Sequence, residues 1–284
     1  MPASRNPLRT NQRPATVLKL KTRAAKADRH RLYERSVQDA SAELDFIDDT
    51  FRALRGRPAV ILREDFCGTA SVATAWVRRR PRNIALGIDL DPEVLAWSMR
   101  HRVPGLSPAE QRRLTLLESD VLHVETAPQD VVLAMNFSYW IFKQRAALRA
   151  YFAAVHAALK PDGVFFLDCY GGFDAFRVLK ERRELDGFTY IWDQASYNPI
   201  TGDLLCHIHF RFADGSRLER AFTYDWRLWT LPEIREVLAE AGFAQSIPYW
   251  QGWDAAGQDG DGKFEPVSTA DADAGWVSYI AALK

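Results

Sequence analysis

Short, fully apolar runs alternate with amphipathic stretches over the first 170 residues. Pro58 precedes the run Ala59-Val60-Ile61-Leu62, which reads as a strand buried on both faces. Residues 84–88 (Ile-Ala-Leu-Gly-Ile), Leu114–Leu117, Val131–Met135 and Val164–Leu167 read the same way. Between them lie helical patterns. Asp91-Pro92 opens one, since Asp suits the cap and Pro the first helical position. Residues 143–159 place Leu148, Tyr151, Phe152, Val155 and Leu159 on one helical face. Upstream, Leu32, Val37, Leu44, Phe46, Ile47, Phe51 and Leu54 predict helix within 28–55. Strands and helices in this order predict a doubly wound, mostly parallel α/β sheet.

The period changes after about residue 185. Residues 188–194, 204–212 and 217–226 alternate as strands, joined by Asn-Pro and Asp-Gly turns. Three strands in succession without helices predict an inserted antiparallel flap. Thr230-Leu-Pro-Glu233 then forms a capping box ahead of a helix that Gly242 ends. Strands near 246–250 and 276–282 close the chain. Residues 254–273 hold six acids and one lysine among Gly and Ala, and read as a mobile surface loop.

Composition narrows the class. The 284 residues are 47% hydrophobic and 26% charged, the balance of a globular protein. No apolar run approaches a membrane span, and the N-terminus lacks the apolar core of a secretory signal. Three cysteines without metal-like spacing fit free thiols in a reducing, cytoplasmic setting and no metal site. Net charge is zero, yet residues 1–31 carry nine Lys/Arg and one acid. Residues 1–27 read as a basic, flexible arm. It lacks interleaved aromatics, so nucleic acid is not the expected partner, although the arm leaves RNA open.

The chemistry concentrates at the strand ends, where open α/β sheets bind ligands. The first junction is Glu64-Asp-Phe-Cys67-Gly68-Thr-Ala70. A small-residue turn before a helix N-terminus offers free N–H groups to a carboxylate, and Glu64 offers a carboxylate to an ammonium. Together they suit a zwitterion. The second junction is Gly87-Ile-Asp89-Leu90-Asp91. Asp89 stands where ribose hydroxyls are held, and Leu90 can lie against a purine. At the third, Ser119-Asp120-Val121, the acid can accept from an exocyclic amine and the Val121 N–H can reach a ring nitrogen. Asp89 and Asp91 also fit plain helix caps, and Asp120 a turn. A dinucleotide site is disfavoured, because Gly-x-Gly-x-x-Gly is absent.

These three junctions resemble the first three motifs of class I S-adenosylmethionine-dependent methyltransferases, and Leu159-Lys-Pro-Asp-Gly-Val164 resembles the turn before that family's fifth strand. The resemblance covers about residues 55–170. It implies a Rossmann-like, seven-stranded sheet with the last strand antiparallel, spanning 28–284 and carrying the flap at about 186–228. It implies S-adenosylmethionine as cofactor, held by Tyr33, Glu64, Cys67, Gly68, Asp89, Leu90, Asp120, Val121 and Asn136. The layout is similar to that of small-molecule N-methyltransferases, so a small acceptor and N- or O-methylation are expected. A basic-arm RNA or protein methyltransferase and a non-catalytic cofactor-binding regulator are the alternatives. Tyr139 and Tyr170, after the fourth and fifth strands, are the expected acceptor contacts. Neither a catalytic base nor an oligomeric state beyond monomer or homodimer is read from the chain. The family pattern Asp/Glu-x-Gly-x-Gly-x-Gly has Phe66 and Ala70 in place of two glycines. A Phe resists positive φ, so the backbone is expected to depart from the family there.

Overall fold

The computed structural model describes residues 22–254 and 260–284. In chain order the elements are α1 (Arg23–Lys26), α2 (Arg29–Val37), α3 (Ala40–Arg55), β1 (Ile61–Asp65), α4 (Ser71–Arg79), β2 (Ile84–Asp89) and α5 (Pro92–His101). Then come α6 (Pro108–Gln111), β3 (Leu114–Glu118), β4 (Gln129–Ala134), α7 (Arg145–Ala158) and β5 (Leu159–Gly171). The flap holds β6 (Leu179–Leu185), β7 (Phe188–Tyr197), β8 (Asp203–Phe212) and β9 (Arg217–Arg227). The chain ends with α8 (Leu231–Glu240), β10 (Gln245–Trp253), β11 (Gly260–Pro266) and β12 (Trp276–Leu283).

The main sheet runs β11-β10-β12-β5-β4-β1-β2-β3. Strands β1 to β5 pair in parallel, and β12 lies antiparallel between β5 and β10. The topological switch falls between β1 and β4, where a ligand crevice opens at the carboxyl ends. One face packs Leu148, Tyr151, Phe152 and Val155 of α7 and three residues of α8. The other packs Leu44, Ile47 and Phe51 of α3 with Trp76 of α4 on Leu62, Leu133 and Phe166.

The expected seven strands gain an eighth. Residues 260–266, expected within a mobile loop, pair antiparallel with β10 as β11. The Gly-Asp-Gly-Lys composition hid an edge strand whose Phe264 stacks on Tyr279 at 3.9 Å. The flap begins earlier than about 186: β6 is charged and almost wholly exposed, so it lacks the alternation that marked its neighbours. The helix expected within 28–55 is two helices, because the Asp39 carboxylate accepts from the Ser41 and Ala42 N–H groups and restarts the chain. The tail of the expected arm also takes shape. Residues 22–27 dock on the flap, with Arg23 and Ala24 N–H groups donating to Asp214 and Ser216. Residues 1–21, which carry most of the arm's charge, lie outside the described residues. The Pro161-Asp162-Gly163 turn survives as a bulge where β5 meets β4.

Candidate functional site

The β1–α4 junction keeps the left-handed turn despite its missing glycines. Phe66, Gly68 and Ala70 have φ of 56°, 52° and 55°. Left-handed residues at alternate positions are what the Gly-x-Gly-x-Gly pattern supplies. The expectation of a departure at Phe66 is therefore corrected. Its ring rests against Phe142 and Tyr151, with centroids 6.1 and 5.6 Å away, and this packing offsets the strained backbone. A Cβ at Gly68 would meet nothing within 4 Å, so the turn presents an open cradle. Ala70, the residue before α4, offers no side-chain cap to that helix. Cys67 is buried, its N–H donates to the Ile88 carbonyl, and its Sγ would lie 3.0 Å from a Cβ at Gly87. Burial pushes its thiol well up, which makes it a packing residue rather than a nucleophile.

Around this turn the carboxylates are organised. Glu64 is buried and accepts from the Ala73 N–H at 2.8 Å. Burial raises its carboxyl to about 8, opposed chiefly by that hydrogen bond. Asp89 accepts from the Gly68 N–H at 2.7 Å with one oxygen and from the Asp91 N–H at 2.9 Å with the other. It thereby ties the second strand end to the turn. Leu90, next to it, is 68% exposed and free to face a flat ring. Asp120 accepts from the Leu122 N–H at 2.9 Å and faces His123 at 3.2 Å, so it braces its own turn. Val121 is held by a residue the sequence reading missed. Arg63, buried in β1, forms an ion pair with Asp65 at 2.6 Å and donates to the Val121 carbonyl at 3.3 Å.

The fourth strand end is strained and pinned. Asn136 and Phe137 both have positive φ, 58° and 57°. Their N–H groups donate to the two oxygens of Asp168 at 2.7 and 2.8 Å. Burial raises Asp168 to about 7 despite those bonds. Asp168 has no sequence motif to announce it; only its place at the end of β5 points there.

Beside this turn lies a cavity of about 490 Å³. Asn136, Phe137 and Tyr170 form its floor, and Tyr33 of α2 reaches its rim. Its walls are aromatic: Tyr190, Trp192, Tyr224 and Trp226 from the flap, Trp250 and Trp276 from the last strands. Tyr224 and Trp226 stack at 4.4 Å. Glu181 and Asp174 also line it. Asn136 and Tyr33, expected at the cofactor, and Tyr170, expected at the acceptor, thus line one cavity. Tyr139 does not join them. It is fully buried in the α7-side core, where its hydroxyl donates to the Asp168 carbonyl at 2.7 Å. As an acceptor contact it is corrected to a support for β5. His207 and His209 are packed strand residues of the flap: His207 meets the Thr223 hydroxyl at 2.9 Å, and His209 lies between Asp193 and Glu219.

Helix α2 spans the two halves of this region. Asp28 caps it and accepts from the Trp97 indole at 2.8 Å. Glu34 accepts from the Thr69 hydroxyl at 2.5 Å and pairs with Arg102. Leu32 enters the flap core with Phe188, Ile208 and Phe210, and Tyr33 packs on Phe222 at 4.9 Å.

The residues fit S-adenosylmethionine. A cradle at Gly68 beside the α4 N-terminus, where Ala70 supplies no side-chain cap and Glu64 takes the Ala73 N–H, suits the carboxylate, buried acids suit the cationic groups, and Asp89 with exposed Leu90 suits ribose and purine. Residues 65–167 match the model of a family described as a methyltransferase domain. No curated protein matches the chain. Among solved structures, an S-adenosylmethionine-dependent methyltransferase from Clostridium acetobutylicum aligns over 89% of this chain and 97% of its own, at 17% identity and a TM-score of 0.64. An amino pentose methyltransferase from Micromonospora echinaspora aligns over 90% and 96%, at 20% identity and 0.63. A sugar N-methyltransferase from Streptoalloteichus aligns over 100% and 98%, at 16% identity and 0.61. At these identities the likeness establishes the fold.

Proposed function

We propose that this chain, a class I S-adenosylmethionine-dependent methyltransferase, transfers the cofactor's methyl group to an amine on a small ring-shaped acceptor bound in the aromatic cavity. The cavity carries this reading. Aromatic faces attract cations and pack well against ring faces, and two acids, Glu181 and Asp174, line the cavity against one cation, Arg183. Its volume admits a small molecule rather than a folded protein surface or a nucleic-acid groove. The aligned amino pentose and sugar N-methyltransferases support the same acceptor class.

When bound, the cofactor supplies an electrophilic methyl on a cationic sulfonium. The chain's contribution is placement. Glu64, Gly68 and the α4 N-terminus hold the methionine end, and Asp89 and Leu90 the nucleoside, with Asp120 and Val121 at the base. Asn136 and Tyr170 border the aromatic cavity, and there they would position an acceptor nitrogen for displacement at the methyl the cofactor would supply. Proximity and alignment account for most of the acceleration in such a displacement. The pinned Asn136–Phe137 turn keeps that boundary rigid.

The test is transfer of labelled methyl from S-adenosylmethionine to a panel of small cyclic amines, amino sugars included, beside their hydroxyl analogues, RNA and protein. Label on nitrogen of a ring amine is expected. Label confined to hydroxyls or to macromolecules would overturn the reading. Trp192→Ala is expected to raise the acceptor KM about tenfold or more, the scale of one lost cation–π face. S-adenosylhomocysteine binding by calorimetry should stay unchanged in that variant.

A further inference from the structure

Glu43 belongs to none of the motifs, yet the fold brings it to the cofactor site. It lies in the first turn of α3. Three residues on, and so on the same helical face, Phe46 packs on Tyr279 at 4.8 Å and edge-on to Phe166 at 5.9 Å. Tyr279 is the register partner of Asp168. Glu64 is in register with Leu133, and Leu133 with Phe166, so Glu64 and Phe166 share a sheet face. Asp168 is two residues beyond Phe166, which keeps it on that face. Carboxyls from α3, β1 and β5 therefore meet on one side of the sheet, at the carboxyl ends of the strands.

The meeting is unbalanced. The Glu43 Oε1 is buried and has no hydrogen-bond partner. The charges that act on Glu43 are those of Glu64, Asp168 and Asp39, all negative. Tyr279 and Tyr33 are its neutral neighbours. Arg102, the cation that acts on Glu64, is itself paired with Glu34. A half-buried acid with an unpartnered buried oxygen is costly as a carboxylate, and desolvation holds Glu43 well above its ordinary range. Such a site gains by receiving a cation.

We propose that Glu43 is a cofactor-binding residue whose carboxylate, with Glu64 and Asp168, receives the positive charge at the methionine end of S-adenosylmethionine. The proposal rests on the cofactor assignment above. It carries a consequence that activity alone does not report. Burial favours the neutral acid and a bound cation favours the ionised one, so binding is expected to release a proton. Glu64, Asp168, Asp39, Tyr279 and Tyr33 face it, and the first two contribute protons of their own.

The test is calorimetry of S-adenosylmethionine binding near pH 6.5, repeated in buffers of different ionisation enthalpy. The wild type is expected to release protons. Glu43→Gln is expected to release about one fewer and to bind roughly ten- to a hundredfold more weakly, the scale of a lost charge-assisted contact. Glu43→Asp keeps a titrating carboxyl and should retain the release, which guards against a misfolded Gln variant. S-adenosylhomocysteine, which lacks the sulfonium charge, locates the contact. Weakening of both ligands assigns Glu43 to the ammonium, and weakening of S-adenosylmethionine alone assigns it to the sulfonium. Unchanged affinity and proton count for both ligands in Glu43→Gln would overturn the proposal. Failure of the wild type to bind either ligand would instead overturn the cofactor assignment.

Discussion

At Phe66 the protein places a bulky side chain where the backbone prefers none. A left-handed conformation costs a non-glycine residue about 1–2 kcal/mol, and the ring recovers this through Phe142 and Tyr151. The two effects separate by mutation. Phe66→Ala keeps the strain and loses the ring, whereas Phe66→Gly loses both. Phe66→Gly is therefore expected to be the more stable of the two by about 1 kcal/mol, the reverse of the usual order for alanine and glycine. Denaturant midpoints at equal slope check it. The motif was legible in the sequence because residue spacing survived the loss of its glycines: Glu64, Gly68 and Asp89 stand where the family pattern puts them. The departure expected at Phe66 was not found, because its long-range aromatic neighbours decide the outcome and they lie about 76 and 85 residues away along the chain. Asp168 and Arg63 were illegible for a related reason. Their partners, the Asn136–Phe137 turn and Val121, sit on other strands.

Among the elements, α2 connects most parts of the site. It touches α5 through Asp28 and Trp97, the cofactor turn through Glu34 and Thr69, and the flap through Leu32 and Tyr33. Asp28 does two things there, since its carboxylate caps the His30 and Arg31 N–H groups and also receives the Trp97 indole. Asp28→Ala is expected to cost about 1–2 kcal/mol by loss of the cap alone. Because α2 contacts the turn proposed to cradle the cofactor, the same change should weaken S-adenosylhomocysteine binding. Protease sensitivity near Val37–Asp39, between α2 and α3, should rise in step, and added ligand should reverse it. Affinity unchanged despite lost stability would mean that α2 only props the flap. The strongly periodic elements β1, β2, β4, α5, α7 and α8 were readable because each buries a regular face. The break at Asp39, the exposed β6 and the edge strand β11 were not, because capping and edge pairing leave little apolar pattern.

On the scale of the whole molecule, the two sheets divide the labour: the main sheet presents carboxyls at its strand ends, and the flap encloses aromatic space beside them. The sequence places a pocket between the α/β core and the inserted strands, but its shape was not readable, since its walls come from chain segments spread between Tyr33 and Val277. The arrangement gives the protein a dependence on pH. In the folded, cofactor-free chain Glu64 titrates at about 8 and Asp168 at about 7, both above the ordinary carboxyl range because of burial. The folded state therefore keeps protons that the unfolded chain releases as pH rises above about 4. A folded state that binds more protons loses stability with rising pH, so the loss runs from about pH 4 to 8 and levels off once Glu64 has ionised. For Glu64 alone it is on the order of 5 kcal/mol at most. Binding of the cationic cofactor favours the ionised acids, so its affinity should rise across the same window in which the free protein weakens. Melting temperature and S-adenosylmethionine Kd, each followed from pH 5 to 8, should move in those opposed senses. Glu64→Gln should flatten both curves, because the amide stays neutral and still accepts from the Ala73 N–H. A free protein that instead grew more stable towards pH 8 would show that these carboxyls are ionised before the cofactor arrives.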